Sequence, residues 1–370
     1  MDQPAVRRFE PTTDAELSRR FAESSTTSRP RAPLYAALSA GIARDPDLYR
    51  LLNTAPEMQR LPVMLFAVTH DLLLEDTTHP LAAWYPNLTA DHRAPTERDL
   101  VPTFKRFVAD REQRLKQLLA SRTVQTNEVG RCAILLPAFG LLDQEVGALG
   151  HLDVGASGGL NLLLDRYRYV FTPRGGGPED SVTVGDPSTV LLAVETTGDV
   201  PIPAAMPRVA ARCGIDRTPI DVTDEGEAQW LEACVWPDQA DRFHRLVEAI
   251  EIARQHPPEL LAGDAVESLA PGVDRVGRSA HPVVTNSWVL NYLTSAQRLA
   301  YLAELEQMGA RRDLTWVYAE APALIPELPT DPDPADPHRT VLSMVRWRNG
   351  ERLVDHLATC HPHGFWIHWR

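Results

Sequence analysis

The sequence predicts an α/β protein, with a mostly parallel β-sheet covered by helices on both faces and an all-helical segment ahead of it. Three observations carry this. Up to residue 150 the apolar residues recur at helical spacing, and no strand pattern interrupts them. From His151 onward short β-type runs alternate with helical ones, the pattern of strand–helix–strand units. The length, 370 residues, suits two domains of ordinary size. Residues 1–150 are therefore read as a helical cap domain and residues 151–370 as the sheet domain.

In the first half, residues 15–23, 34–43 and 61–74 read as helices, the last apolar nearly all round. Phe104, Phe107, Val108, Leu115, Leu118 and Leu119 fall on one face of a helix over 104–119. Another helix is expected over 128–149, with Asn127 as its N-cap and Pro137 as a kink. Residues 151–154 form a short strand that runs into Gly155-Ala156-Ser157-Gly158-Gly159 and an apolar helix over 160–164. Residues 167–197 favour strands broken by Gly175, Gly176, Gly177, Gly185, Asp186 and Pro187. They read as a β excursion inserted around 167–206. A strand over 208–215 ends at Asp216, and a helical stretch follows over 224–255. Three more strand-like runs lie at 259–262 before Asp264, at 282–286, and at 314–319 before Glu320. A helix over 295–306 separates the last two. Past a loop rich in Pro and Asp, residues 340–346, a turn at Asn349-Gly350 and a strand over 364–369 give the sheet an antiparallel edge.

Hydrophobic residues make up 44% of the chain and charged ones 24%, enough for a core without a disulfide or metal staple. Thirty-seven basic against fifty acidic side chains leave a net charge of −13, which repels phosphate backbones and disfavours a nucleic-acid substrate. The longest nearly apolar run, residues 132–142, is too short for a bilayer span of about twenty residues. Asp2, Arg7, Arg8, Glu10 and Asp14 have no apolar run behind them, unlike a secretory signal. Cys132, Cys213, Cys234 and Cys360 are scattered and read as reduced thiols. A cytoplasmic protein without membrane or nucleic-acid partners is expected, and a homo-oligomer or a protein partner is left open.

The loop from Asp153 to Gly159 carries the chemistry. Small residues after a strand let a ligand approach the backbone, and the following helix offers its N–H groups to an anionic or polar group. A dinucleotide fingerprint wants Gly at its first, third and sixth positions. Counted from Gly155 these are Gly155, Ser157 and Leu160, a poor fit. The loop instead resembles motif I of class I S-adenosylmethionine-dependent methyltransferases, an acid followed by G-x-G-x-G. Here it reads Asp153, Gly155, Ser157, Gly159, with Ala156 between, and serine replaces the middle glycine. Some ribosomal-RNA methyltransferases are similar in carrying serine there. Gly214-Ile215-Asp216 resembles motif II, whose acid holds the ribose hydroxyls. Leu261-Ala262-Gly263-Asp264-Ala265 resembles motif III, beside the adenine. Val283-Val284-Thr285-Asn286-Ser287-Trp288 resembles motif IV, where the methyl group is delivered, and Leu314 to Glu320 resembles the fifth strand.

The resemblance covers Leu152 to Arg370. It implies a Rossmann-like class I methyltransferase fold with a mostly parallel seven-stranded sheet, S-adenosylmethionine as cofactor and no metal; the acidic charge favours a small-molecule substrate, in a cleft between the cap and the sheet. The resemblance implies cofactor binding by Asp153, Gly155, Ala156, Ser157, Gly159, Asp216, Asp264 and Ala265. One departure stands out. Asp153 and Asp216 are 63 positions apart, where nucleotide folds of this type place the second acid about 20 residues on. The 167–206 excursion accounts for the excess, either as a substrate cover or as a structural flap. The whole chain also resembles a bacterial family of unassigned function, marked here by Thr126 to Arg131, the 153–161 loop, Arg212 to Asp216, and Trp230 through Trp236-Pro237-Asp238.

Methyl transfer is an in-line displacement at a sulfonium carbon, so the protein chiefly aligns the partners and supplies a base. Asn286, Tyr292, Glu320 and Glu128 are the catalytic candidates, and Asn127, Arg131 and Trp288 the substrate-binding ones. Each has a plainer reading. Glu128 and Arg131 suit a surface pair at i,i+3, Trp288 a core residue, and the acids helix caps. Cys360-His361-Pro362-His363 has zinc-type donors but no second ligand pair, so it reads as a turn. Residues 331–334 read as a solvated Asp-Pro loop. No Walker loop occurs. The alternatives carried forward are the same fold performing elimination, cyclisation or isomerisation in specialised metabolism, and a non-enzymatic partner subunit.

Overall fold

A computed structural model describes residues 12–326, 328 and 339–370. The expected Asp-Pro loop at 331–334, and the charged positions Asp2, Arg7, Arg8 and Glu10, lie outside the described residues. The chain forms two compact units. One comprises the chain up to Thr126 plus Gln229–His244, the other Asn127–Ala228 plus Arg245–Arg370.

The first unit is helical: α1 (Asp14–Thr27), α2 (Pro33–Ile42), α3 (Pro46–Tyr49), α4 (Pro62–Glu75), α5 (Leu100–Asp110) and α6 (Glu112–Ser121). The single helix expected over 104–119 is broken at Arg111, whose backbone leaves the helical region at φ −120, ψ 16. Its guanidinium stacks on Phe107 at 4.1 Å and bonds the Asp76 carboxylate at 2.5 Å. The core is aromatic, with Phe66 stacked on Tyr35 at 4.3 Å and Phe21 and Phe104 against its edges. The segment Gln229–His244 is pinned by buried polar contacts. His70 Nδ1 bonds the Ala233 carbonyl at 3.1 Å, and the Asn87 amide meets its other nitrogen at 3.0 Å. Gln229 donates to Asp71, and the Trp230 indole to the Thr123 carbonyl.

The second unit begins with α7 (Arg131–Val146), shorter at both ends than the 128–149 expected. Asn127 does not cap it; its side chain serves another loop. The strands are β1 (Leu149–Val154), β2 (Arg168–Pro173), β3 (Val182–Val184), β4 (Leu191–Thr197) and β5 (Val209–Asp216). After α8 (Glu225–Ala233) and α9 (Ala240–Gln255), which replace one long helical stretch, come β6 (Leu260–Ala262) and α10 (Leu269–Val276). Then follow β7 (His281–Ser287), α11 (Ser295–Gly309), β8 (Leu314–Glu320), β9 (Thr340–Arg348), β10 (Glu351–Cys360) and β11 (Trp366–Trp369).

These form one mostly parallel sheet in the order β3-β2-β4-β11-β10-β9-β8-β7-β1-β5-β6. The block β6-β5-β1-β7-β8 is parallel throughout, and β9 and β10 continue it as an antiparallel hairpin across the expected turn at Asn349-Gly350. The hairpin's second strand was not expected, and with β4, β2 and β3 beyond β11 these strands are not the sheet's edge. The sheet has eleven strands, not seven. The 167–206 excursion is part of the sheet rather than a detached flap, because β4 pairs with β11 through Glu195–Trp366, Thr196–Ile367 and Thr197–His368. Joining it to the sheet occupies an edge that would otherwise offer unpaired N–H and C=O groups. β1 and β8 are buried along their whole length and β7 along all but its first residue, as a doubly covered parallel sheet requires. On one face Leu152, Val154, Ile215, Val284 and Trp316 pack with Leu269 and Val273 of α10 and Tyr301 and Leu305 of α11. Among the described residues no helix is long and apolar enough to cross a membrane.

Candidate functional site at the strand ends

Strand register brings the predicted acids to one end of the parallel block. Asp153 of β1 pairs in register with Gly214 of β5 and with Thr285 of β7, while Asp216 closes β5 beside Ala262 of β6. Glu320 closes β8 and Asn286 lies near the end of β7. All five parallel strands thus present their C-terminal ends together, where open α/β sheets bind ligands.

The loop after β1 is held by its own chain. Gly155 and Ala156 donate to the Ile215 carbonyl, Ser157 to Asp216 Oδ2 at 2.8 Å, and Gly159 to the Ala156 carbonyl. Asn127 Oδ1 accepts from both Gly158 (3.1 Å) and Leu160 (3.2 Å). Every amide from Gly155 to Leu160 therefore has a partner, and the expected offer of free N–H groups is withdrawn. The apolar helix expected at 160–164 is a 3₁₀ turn, Leu160–Arg166. Gly155 and Gly159 have φ of 77 and 72, and a Cβ at either would collide with Val289 or with Pro258 and Leu260. Ser157 adopts the same left-handed region at φ 52. Ala156 is fully buried, and its Cβ fills the space beside Gly214.

The four carboxylates differ. Asp153 is 3% exposed and accepts from Thr285 Oγ1 at 2.7 Å. Burial pushes its pKa up to about 7, against the opposing Thr285 bond and Arg131 charge. Glu320 is 1% exposed, and burial likewise raises it to about 7. Its Oε1 accepts from Asn286 Nδ2 (2.7 Å), Val289 N (2.8 Å) and Leu290 N (3.3 Å), while its buried Oε2 has no hydrogen-bond partner. Asp216 is only half-buried; Ser157 N and Thr218 N each fill one site on its two oxygens. Asp264 accepts from Val266 N at 2.9 Å and pairs with Arg217 at 3.0 Å. That backbone bond, aided by Arg217, holds its carboxyl below the usual range. Ala265 next to it packs against the core.

The remaining candidates fall in three places. Arg131 is buried rather than on a surface, and its Nη1 donates to the Ser287 carbonyl at 2.7 Å. Glu128, also buried, accepts from Gly130 N at 3.0 Å and meets His363 at 3.1 Å. Trp288 takes φ 56, strained for a bulky residue, and its indole donates to Thr340 Oγ1 at 2.9 Å. Its turn aims the Val289 and Leu290 amides at Glu320. Tyr292 is 74% exposed. Sequence reasoning missed His151, whose Nε2 meets Thr285 Oγ1 at 2.8 Å beneath Asp153, and missed His363 as the partner of Glu128. Alternation inside a buried strand carried no signal for the first, and a separation of 235 positions hid the second. Among the described residues no His/Cys/Asp/Glu group is arranged for a metal.

Over residues 15–369 the chain matches, and belongs to, the family described as "uncharacterized protein conserved in bacteria (DUF2332)". No curated protein and no solved structure matches it.

Proposed function

We propose that this protein is an S-adenosylmethionine-dependent methyltransferase acting on a small molecule, through a Rossmann-like class I methyltransferase fold. The observation that carries the reading is the alignment of Asp153, the 155–159 loop and Asp216 on adjacent parallel strand ends. The donor set fits a nucleoside without phosphates. With the loop amides all engaged by the chain, no nest remains for a phosphate, while Asp216 keeps lone-pair capacity for two hydroxyl donors. When bound, the cofactor supplies an electrophilic methyl group on a sulfonium centre. Asp216 takes the ribose hydroxyls, and Ser157 N keeps that carboxylate in place. Asp264, fixed by Val266 N, lines the adenine side with Ala265. Asp153 and Glu320 lie beneath the strand ends; Asp153 is tied to Thr285 of β7, and Glu320, oriented by Asn286, holds the turn after β7. Arg131 supplies positive charge at the end of β7. The net charge of −13 favours a metabolite over nucleic acid as acceptor.

Calorimetry with S-adenosylmethionine and S-adenosylhomocysteine tests this. Micromolar binding is expected, with Asp216→Ala weakening it by about 1–3 kcal/mol, the cost of leaving polar partners unpaired. No heat at millimolar ligand overturns the reading, and an unchanged Kd in the variant removes Asp216 from the site.

A further inference from the structure

Methyl transfer to an O–H or N–H acceptor needs a group that reaches the substrate and takes its proton. Glu320 and Asn286 are buried beneath the strand ends, and Glu320 Oε1 already accepts three donors. A second polar cluster in the same unit does reach solvent. The turn leading into α7 meets the turn between β10 and β11. Their backbones touch so closely that a Cβ on Gly130 would lie 2.3 Å from the His363 carbonyl oxygen, and one on Gly364 1.9 Å from the Gly130 oxygen. Glycine at both positions lets the two turns seat against each other, and Gly364 needs its φ of 77 besides.

This contact brings His363 Nδ1 to 3.1 Å from Glu128 Oε2. Catalytic hydrogen bonds are often long or poorly aligned without substrate and tighten when it binds. The Glu128 side chain is 3% exposed, whereas the His363 side chain is 19% exposed. Glu128 Oε1 accepts from Gly130 N and lies 3.9 Å from Arg245 Nη2. Arg131 ties the pair to the strand ends, donating through Nε to the Pro362 carbonyl at 3.0 Å and through Nη1 to Ser287 at the end of β7. The His361 and Phe365 rings flank His363, at 5.5 and 6.2 Å between centroids.

We propose that His363 accepts the substrate's proton on Nε2, with the Glu128 carboxylate as the positioning residue at Nδ1. The substrate's O–H or N–H bond breaks, its electron pair stays on the substrate atom, and the proton forms an N–H bond on the imidazole. The imidazolium charge is balanced by Glu128, and the proton passes later to water. The groups facing the ring are Glu128 and His361, with Arg245 3.9 Å from the other Glu128 oxygen. The proposal deepens the methyl-transfer reading, yet the pair is testable without the cofactor.

The experiment is nuclear magnetic resonance of carbon-13-labelled histidine in the full chain, with the His363 signal assigned by its loss in His363→Asn. In wild type His363 titrates, and Glu128→Gln lowers its midpoint by one pH unit or more, a tenfold change in proton affinity. Diethyl pyrocarbonate modifies His363 in the folded protein, read by mass spectrometry. A midpoint indifferent to Glu128→Gln, or a ring untouched by the reagent, overturns the proposal. Labelled methyl transfer from S-adenosylmethionine into the low-molecular-mass fraction of a bacterial extract adds the catalytic readout. Its pH profile follows the His363 midpoint and moves with it in Glu128→Gln, and His363→Asn slows it about 100-fold or more. A transfer rate indifferent to both substitutions overturns the base role. A wild type that shows the pair but binds no S-adenosylhomocysteine refutes the methyl-transfer reading and leaves the pair standing.

Discussion

Asp153 and Asn127 show how much of this site is held by single side chains. Asp153 has a folded pKa of about 7 against an ordinary 3.8, raised chiefly by burial. The folded state therefore keeps a proton between those values that the unfolded chain releases, so stability falls as pH rises through that window and levels off above it. Asp153→Asn keeps an acceptor for Thr285 and does not titrate. Its Tm relative to wild type is expected to climb from pH 4 to pH 7 and then stay constant. A difference curve flat in pH would mean that the carboxyl is solvated. Asn127 makes the opposite point. Its one oxygen satisfies two buried amides of the loop after β1, so Asn127→Ala strands both. Chemical denaturation should show a loss of about 1–3 kcal/mol, and an unchanged midpoint would mean that water replaces the side chain.

Turns and strand partners decide what happens at the scale of elements. Gly350, between β9 and β10, and Gly364, between β10 and β11, share a left-handed backbone, with φ of 82 and 77. Around Gly350 a Cβ meets nothing within 4 Å; at Gly364 it meets the Gly130 oxygen at 1.9 Å. Gly350→Ala should cost only the conformational penalty of about 1–2 kcal/mol. Gly364→Ala should cost clearly more and displace His363 as well. Equal losses would show that the two turns do not press on one another. The same elements show what a sequence reveals. The Asp153–Gly159 loop, Asp216 and Glu320 were legible because a strand ending in small or acidic residues leaves a local pattern. The union of β4 with β11 was not, because parallel pairing between strands some 170 positions apart leaves no local trace. Asn127 looked like a helix cap for the same reason: its chemistry is that of a cap, but the amides it satisfies belong to a loop about thirty residues on. Arg111 broke a helix whose apolar face continues across it, since its partners Asp76 and Phe107 are set by tertiary packing.

At the scale of the whole molecule, the chain leaves the helical unit after Thr126, returns for Gln229–His244 and leaves again. A returning segment of sixteen residues has little core of its own and depends on what grips it. His70 is the most buried of those grips. Its Nδ1 donates to the Ala233 carbonyl and its Nε2 accepts from Asn87, an arrangement that only the neutral ring can make. Burial pushes its pKa down from 6.5 to about 4. Once the segment is released the ring takes a proton at the ordinary value, so the grip is complete above pH 6.5. It weakens as pH falls to about 4 and loses nothing further below that. Limited proteolysis, with the protease's own pH dependence calibrated on an unfolded peptide, should find cleavage within Gln229–His244 rising from pH 7 to pH 5. His70→Gln cannot take up a proton, so its cleavage should be faster at pH 7 and nearly independent of pH. If the variant keeps the wild-type pH dependence, the acid sensitivity of this segment comes from another group, and His70 only fills space.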